Sequence, residues 1–402
     1  MIWNKTRSCK EVVEHMKHRK KPVKQLLSFG LMISLTLLTS CSLDGKTHWA
    51  EGYLEKTGAM NYPRAGAKAI LLKDDRVLVC GGGAKDFPQY KGECEIYDPR
   101  SGVFSLVQGT DPSRGFDPWV LLPDGRVWVL NHRWIGDDLH KIYDSEIFDP
   151  TTGQWSIGPL LPDQLDYYLA TDLPDGNVLI MGGVKTIKDR GLENIVKVKT
   201  TYIYNVKSGH YQRISDMNFP HSAYSGFPTY TIPLKNGDIL IFDGDHNERY
   251  SYKEHKFILL RAMNIPRRQA GTTLLDDGSV LISVGIGLNS QFLDKWVPEM
   301  EKFDPKTNHF ISFGNSPQES SDTILLPNGK ILINGAYTYD QLIPVMLYDP
   351  KTQVFTKLGY LPQIRVPTLV HLKNGKILFI SDSYKTHGRF PADVYVPEGV
   401  KK

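Results

Sequence analysis

The chain has 402 residues, with 48 Lys and Arg against 44 Asp and Glu, four cysteines and 41% hydrophobic residues. The first 41 residues hold eight basic and two acidic side chains, so the remainder carries 48 − 8 = 40 basic against 44 − 2 = 42 acidic residues, a net of −2. That balance argues against nucleic-acid binding, which needs a basic patch or stripe, and so few cysteines without flanking histidines argue against a structural zinc site.

In chain order, the first element is a leader. Lys17, Arg19, Lys20, Lys21 and Lys24 precede the apolar run "LLSFGLMISLTLL", too short to span a bilayer comfortably, which ends at Leu38-Thr39-Ser40-Cys41. This ending resembles a bacterial lipoprotein signal with its lipobox. The resemblance implies cleavage before Cys41, lipidation of its thiol and acylation of the new amino terminus, and two or more acyl chains anchor stably where one is marginal. Residues 1–40 are thus expected to be a signal peptide, with Met16 as an alternative start, and residues 41–46 a lipidated cysteine and tether. The expected location is the cell envelope, outside the cytoplasm. Ser42 after the cysteine points to the outer membrane where there are two, since an Asp there argues for inner-membrane retention.

Repeats begin at "THWAEGYLEKTGAMNYPRAGA" (47–67) and run to residue 397, followed by a short tail, 398–402. A turn marker between apolar runs recurs seven times: "LLKDDRVLVC" (71–80), "LLPDGRVWVL" (121–130), "DLPDGNVLIM" (172–181), "PLKNGDILIF" (233–242), "LLDDGSVLIS" (274–283), "LLPNGKILIN" (325–334) and "HLKNGKILFI" (371–380). Asp-Gly or Asn-Gly in this setting is a strong hairpin signal and predicts two-residue type I′ turns. The following segment is apolar at consecutive positions, as in a strand buried on both faces. A second marker, such as "FDPTTGQW" (148–155), places two aromatics seven residues apart: Tyr97/Phe104, Phe148/Trp155, Tyr204/Tyr211, Tyr250/Phe257, Phe303/Phe310 and Tyr348/Phe355. Asp149 reads as a turn residue bonding its own backbone beside Pro150. Each unit is therefore strand, tight turn, strand, variable loop, aromatic strand, turn, aromatic strand, repeating every 41 to 61 residues.

The seventh unit stops at "DVYVPEG" (393–399), a third strand without a fourth. The segment opening at Trp49 supplies the missing strand and predicts closure of a ring, which removes exposed sheet edges. With Gly81-Gly82 and Gly182-Gly183 after the second strand and the Tyr/Phe-Asp-Pro element, the unit resembles kelch repeats and galactose-oxidase-like propellers. The resemblance implies an all-β, seven-bladed kelch-like β-propeller over residues 47–397, closed by an N-terminal strand in the last blade, and implies no single activity. The double glycine is degraded in five units.

Cys80 and Cys94 flank "GGGAKDFPQYKGE" on what read as neighbouring antiparallel strands. They are either a disulfide, permissible after export, or two small buried thiols.

Function is expected on the longer, more irregular loops after each second strand: 131–144, 184–200, 285–299 and 381–390. Arg64, Arg114 and Arg267 fall eleven positions before the second turn residue of their units, and Arg365 ten before. Together they suggest a guanidinium cluster for an acidic sugar or acidic peptide, or else structural contacts between units. Trp134, Tyr167, Tyr168, Tyr224, Trp296, Tyr337 and Tyr384 suit sugar stacking or packing, with Trp134 and Trp296 the stronger surface candidates. A galactose-oxidase-like copper site needs two His, two Tyr and a Cys cross-linked to Tyr. His132, His221, His246 and His387 with Cys80 and Cys94 do not assemble it, so no metal or other cofactor is expected. Asp117, Asp166 and Glu193 could serve acid/base chemistry, and no GxSxG, HExxH or phosphate loop is present. The expectation is a membrane-anchored binding module for a glycan or protein, an acidic one if the arginines form the ligand cluster, with no nucleic-acid partner. A sugar-active enzyme, mutarotase/isomerase-like or oxidase-like, with its site at the mouth of the propeller's central channel, and an envelope scaffold are the alternatives.

Overall fold

The computed structural model describes residues 46–62, 64, 67–82, 92–109, 118–130, 133–135, 140–189, 192–223, 229–288, 295–318, 322–334, 337–338, 341–342, 344–361, 368–380 and 392–400. Among these residues the chain is all β, without helices, and every pairing is antiparallel. Six sheets have four strands each in simple meander order. Sheet one is representative: Lys68–Leu71, Val77–Cys80, Cys94–Asp98 and Val103–Val107. Counterparts of the second strand are Val127–Leu130, Val178–Met181, Ile239–Phe242, Val280–Ile282, Ile331–Ile333 and Ile377–Ile380. The last sheet adds N-terminal strands to C-terminal ones. Tyr53–Lys56 lies against Ala392–Val396, with Tyr53 opposite Val396 and Lys56 opposite Asp393, and Thr47–His48 pairs outside it.

The consecutive apolar residues of the second strands are explained by where their two faces go. Val77 and Val79 pack against Leu378, Ile380 and Val394 of the last sheet, whereas Leu78 and Cys80 pack against Val127, Val129 and Phe148 of the second. The same division continues between sheets two and three, three and four, four and five, five and six, and six and seven. Each such strand is fully buried, and each buried Val, Leu or Ile contributes about 1.5–3 kcal/mol.

The aromatic pairs prove to be direct cross-strand neighbours. Tyr97 faces Phe104, Phe148 faces Trp155 and Tyr348 faces Phe355, with ring centroids 4.8, 5.1 and 4.5 Å apart. Between them Asp149 Oδ1 accepts the Thr151 amide at 2.8 Å and the Asp149 carbonyl accepts the Gly153 amide at 2.8 Å. The residue at the Gly153 position has positive φ in every such turn: Gly102, Gly153 and Gly209, then His255, Asn308 and Gln353.

The Asp-Gly turns differ from the type I′ expectation. Only the second residue has positive φ, from Asp75 and Gly125 through Gly375. The Leu122 carbonyl accepts the Gly125 amide at 2.9 Å and the Leu122 amide donates to Arg126 at 2.8 Å. This is a three-residue loop, a type I turn closed by a bulge residue in the left-handed region. Pro123, Pro174 and Pro327 hold the position before the Asp or Asn, and their fixed negative φ suits the first corner of a type I turn.

Candidate functional site

The antiparallel order places two kinds of connection at one end of the sheets: those from second to third strand and those from one sheet to the next. The tight turns occupy the other end. The connection end carries added hairpins: Arg133–Ile135 with His140–Ile142, Val184–Asp189 with Leu192–Lys197, Gly285–Gly287 with Trp296–Val297, and Tyr337–Thr338 with Gln341–Leu342. Trp134 is therefore opposite Lys141, and Trp296, half-buried, is opposite Ile286. The longest hairpin stands out from its sheet: Val184 is buried, but Ile187, Ile195 and Val196 are 43%, 53% and 43% exposed.

The segments between sheets are held by a repeated ion pair. Arg64 is 2% exposed; its Nε and Nη2 each donate to Glu95 Oε1 at 3.1 Å, and its Nη1 donates to the carbonyls of Gly81 and Glu93 at 2.8 and 2.6 Å. Glu95 also accepts the Asn61 amide at 2.7 Å and the Tyr62 amide at 3.3 Å. Arg267 repeats this: it is fully buried, its Nη2 reaches Glu301 Oε1 at 2.5 Å, it donates to the carbonyls of Ile265, Ser283 and Glu299, and Glu301 accepts the Asn264 and Ile265 amides at 2.8 and 3.0 Å. Burial weighs against both cations and pulls them below the ordinary arginine value, with the glutamates acting in the opposite direction.

Of the two readings of Arg64 and Arg267, a ligand cluster or structural contacts between units, these contacts are the structural ones. Their guanidinium donors are consumed within the protein, because a buried cation needs a carboxylate and acceptors around it. Arg114 and Arg365, and with them Cys41, Tyr224, Tyr384, His132, His387 and Asp117, lie outside the described residues. The pairing partners had a sequence signal. Met-Asn-x-Pro-(Arg/His) recurs at 60–64, 217–221 and 263–267, and a Glu stands two residues before the third-strand aromatic at 95, 146, 248 and 301.

The fourth unit carries histidine in this role. His221 is fully buried, with Nε2 3.0 Å from Glu248 Oε1 and Nδ1 3.3 Å from Asp243 Oδ2. Glu248 accepts the Asn218 and Phe219 amides at 2.8 and 3.2 Å, as Glu95 and Glu301 do in their units. Burial disfavours the His221 cation, but the two carboxylates outweigh it and raise its pKa above the ordinary histidine value. Burial likewise opposes ionisation of Asp243 and Glu248, and His221 reverses this, holding both below the usual carboxylate range. His246, 44% exposed at its side chain, lies 3.5 Å from Asp243 and stacks on Phe219 at 4.2 Å between centroids. The backbone of His221 explains one double glycine: its carbonyl accepts the Gly183 amide at 2.9 Å, and a Cβ on Gly182 would stand 2.1 Å from that carbonyl oxygen.

Other expected residues divide as follows. Tyr168 is buried and its hydroxyl donates to the Asp163 carbonyl, so it packs and does not present a face. Asp166 is buried, and its backbone bridges to Val184 at the root of the long hairpin. Glu193 lies opposite Lys188 in that hairpin and Tyr337 opposite Leu342. Asp322, which the sequence reading passed over, is half-buried just before the first strand of sheet six, and burial raises its carboxyl pKa. Cys80 and Cys94 face each other and are joined as a disulfide, with Cα atoms 4.2 Å apart.

No protein-family model matches the chain, and no curated protein sequence matches it. Among solved structures it is similar to a fungal alcohol oxidase of the AA5 family, in complex with copper, at a TM-score of 0.59 and 14% identity, over 87% of this chain and 76% of that one. A likeness at that identity shows the fold, of the galactose-oxidase-like β-propeller type, and no more. The donors described do not fit a copper centre of that kind. Among the described residues both cysteines, Cys80 and Cys94, are consumed in one disulfide, His221 is enclosed by its own carboxylates, and no three His, Cys, Asp or Glu side chains are grouped to hold a metal.

Proposed function

We propose that the chain is a seven-bladed propeller, closed by Tyr53–Lys56 in the last blade, which recognises a glycan or protein through its connection end. The observation that carries this reading is the contrast between the two ends. One is made of short turns satisfied by their own Asp and Asn side chains, as at Asp124, Asp149 and Asp304. The other bears added hairpins with exposed Ile187, Ile195 and Val196 and half-exposed Trp296. Apolar side chains held out from a satisfied scaffold are what a recognition surface requires. Anchoring through a lipidated Cys41 at the cell envelope belongs to the same proposal and would hold the module at the membrane.

The test is a glycan array and, in parallel, cross-linking in cells, using the chain from residue 42 onward for the array and the full chain for cross-linking. Binding that is lost in Trp296→Ala with unchanged thermal stability supports the proposal. Binding that survives simultaneous replacement of Trp296, Ile187 and Ile195 overturns it.

A second reading, a sugar-active enzyme at the mouth of the channel, is favoured by Asp322, whose carboxyl has a raised pKa from burial and no ion-pair partner among the described residues. Aldose mutarotation followed by NMR, abolished by Asp322→Asn, would support that reading over binding alone.

A further inference from the structure

The three ties at residues 61–64, 218–221 and 264–267 share one plan: a third-strand glutamate receives two backbone amides and one cationic side chain from the segment between sheets. Two of the cations are arginines, which stay charged at any pH a protein meets. The third is a histidine, which does not. We infer that the tie of the fourth unit is a titratable latch, closed while His221 is an imidazolium and released when that ring loses its proton, while the arginine ties remain closed.

The geometry favours the cation: Nε2 is hydrogen-bonded to Glu248, and Nδ1, without a hydrogen bond of its own, lies within ion-pair distance of Asp243. A neutral imidazole has one N–H and one lone pair. His221 presents each ring nitrogen to a different carboxylate oxygen, Glu248 at 3.0 Å and Asp243 at 3.3 Å. Loss of the proton would aim a lone pair at a carboxylate with no water-exposed surface on the ring to relieve it. Where the arginines use backbone carbonyls, at Gly81 and Ser283, the fourth unit offers the Asp243 side chain, a second negative charge matched to a ring with only two donors. The charged groups facing the tie are Glu248 from the third strand, Asp243 and His246 from residues 243–246, and Lys199 of the neighbouring unit, whose Nζ donates to the Asn218 carbonyl at 2.6 Å. Gly182 and Gly183 meet the segment from sheet three and bring no charge.

The sign follows from linkage. The folded pKa of His221 is raised, so its contribution is fully present below its unfolded value of about 6.5 and is lost as pH rises through the folded value. Asp243 and Glu248 are lowered, so theirs is present above the unfolded carboxylate range and is lost as pH falls through the folded values. The latch is closed between these limits and opens on the alkaline side. Release would loosen the junction of sheets three and four at the connection end, because Gly183 bonds the His221 carbonyl and Tyr167 accepts the Ala223 amide at 2.9 Å each.

The experiment combines histidine side-chain NMR with hydrogen exchange of the full chain, corrected for intrinsic exchange rates. The expected result is a His221 ring still doubly protonated well above pH 6.5. Above its transition, protection of residues 218–223 falls by up to about tenfold per pH unit while residues 264–267 keep theirs. His221→Arg should remove the pH dependence, and His221→Gln should leave the segment loose at all pH values. A His221 ring that titrates at or below about 6.5 overturns the inference, as does a parallel loss at the two segments. The wild-type measurement stands even if either variant fails to fold.

Discussion

The two ends of the sheets solve the same problem, turning the chain, in opposite ways. At the turn end each reversal is satisfied locally: Asp149 bonds the amide two residues on, Asp124 that of Arg126, and one residue per turn accepts positive φ. At the connection end the segments satisfy themselves over long distances, through Arg64 to Glu95, His221 to Glu248 and Arg267 to Glu301. The local solution repeats with little variation. The long-range solution fixes only the base of each connection and leaves the residues beyond it free to differ from unit to unit. Diversity therefore accumulates at one end, and that is the end to which the proposed recognition is assigned.

The contrast can be broken most severely by removing the N-terminal strand that completes the last sheet. Deleting residues 46–56 uncovers the Ala392–Val396 edge and strips Leu54 from its cluster, and should convert cooperative unfolding into aggregation, followed by calorimetry and light scattering. Next come the long-range ties. Arg64→Met or Arg267→Met leaves a buried glutamate without its cation and should lower stability by about 3–5 kcal/mol. Arg64→Met combined with Glu95→Gln should recover part of that loss in denaturant titration, because it removes the buried charge while an amide oxygen can still accept the Asn61 and Tyr62 amides. Reduction or loss of the Cys80–Cys94 bridge, which spans 14 residues, should remove about 3 kcal/mol.

Asp393 tests the same principle from the other side. It is 3% exposed, and burial pushes its carboxyl up to about 6, with Lys56 acting in the opposite direction. Its folded pKa is raised, so ionisation costs stability as pH rises from the unfolded carboxylate value towards about 6, and the cost is complete above that. Asp393→Asn should stabilise the fold by about 1–3 kcal/mol at pH 7 and by little at pH 4. The smallest effect is expected at the turn end, where Asp149→Ala should lower stability by about 0.5–2 kcal/mol and leave ligand binding unchanged.

Much of the fold was legible because it repeats. The second-strand runs declared burial on both faces, and the aromatic spacing declared the outer hairpin, with Phe148 and Trp155 opposite each other as expected. The N-terminal strand was legible from a deficit, one unit lacking its fourth strand. The turn type was not, because Asp-Gly suits both type I′ turns and type I turns with a bulge, and the preceding Pro123 decides between them. The site was less legible. Arg64 and Arg267 were found by counting, but a count gives position along the chain and not the carboxylate across the sheet. His221 escaped the count because it stands 237 − 221 = 16 positions before the second turn residue of its unit, where Arg64 and Arg267 stand eleven before theirs. Asp322 has no pattern at all; its distinction is its burial, which only the assembled sheets create.

The central claim is that recognition belongs to the connection end and structure to the turn end. The most direct measurement compares one bound ligand, taken from the array, across three proteins: the chain from residue 42, its Trp296→Ala/Ile187→Ser/Ile195→Ser variant, and its Asp149→Ala variant, each with its unfolding midpoint. The account predicts affinity lost in the first variant at an unchanged midpoint, and affinity kept in the second at a lowered midpoint. Affinity that follows Asp149, or that is indifferent to all three connection-end residues, would contradict it.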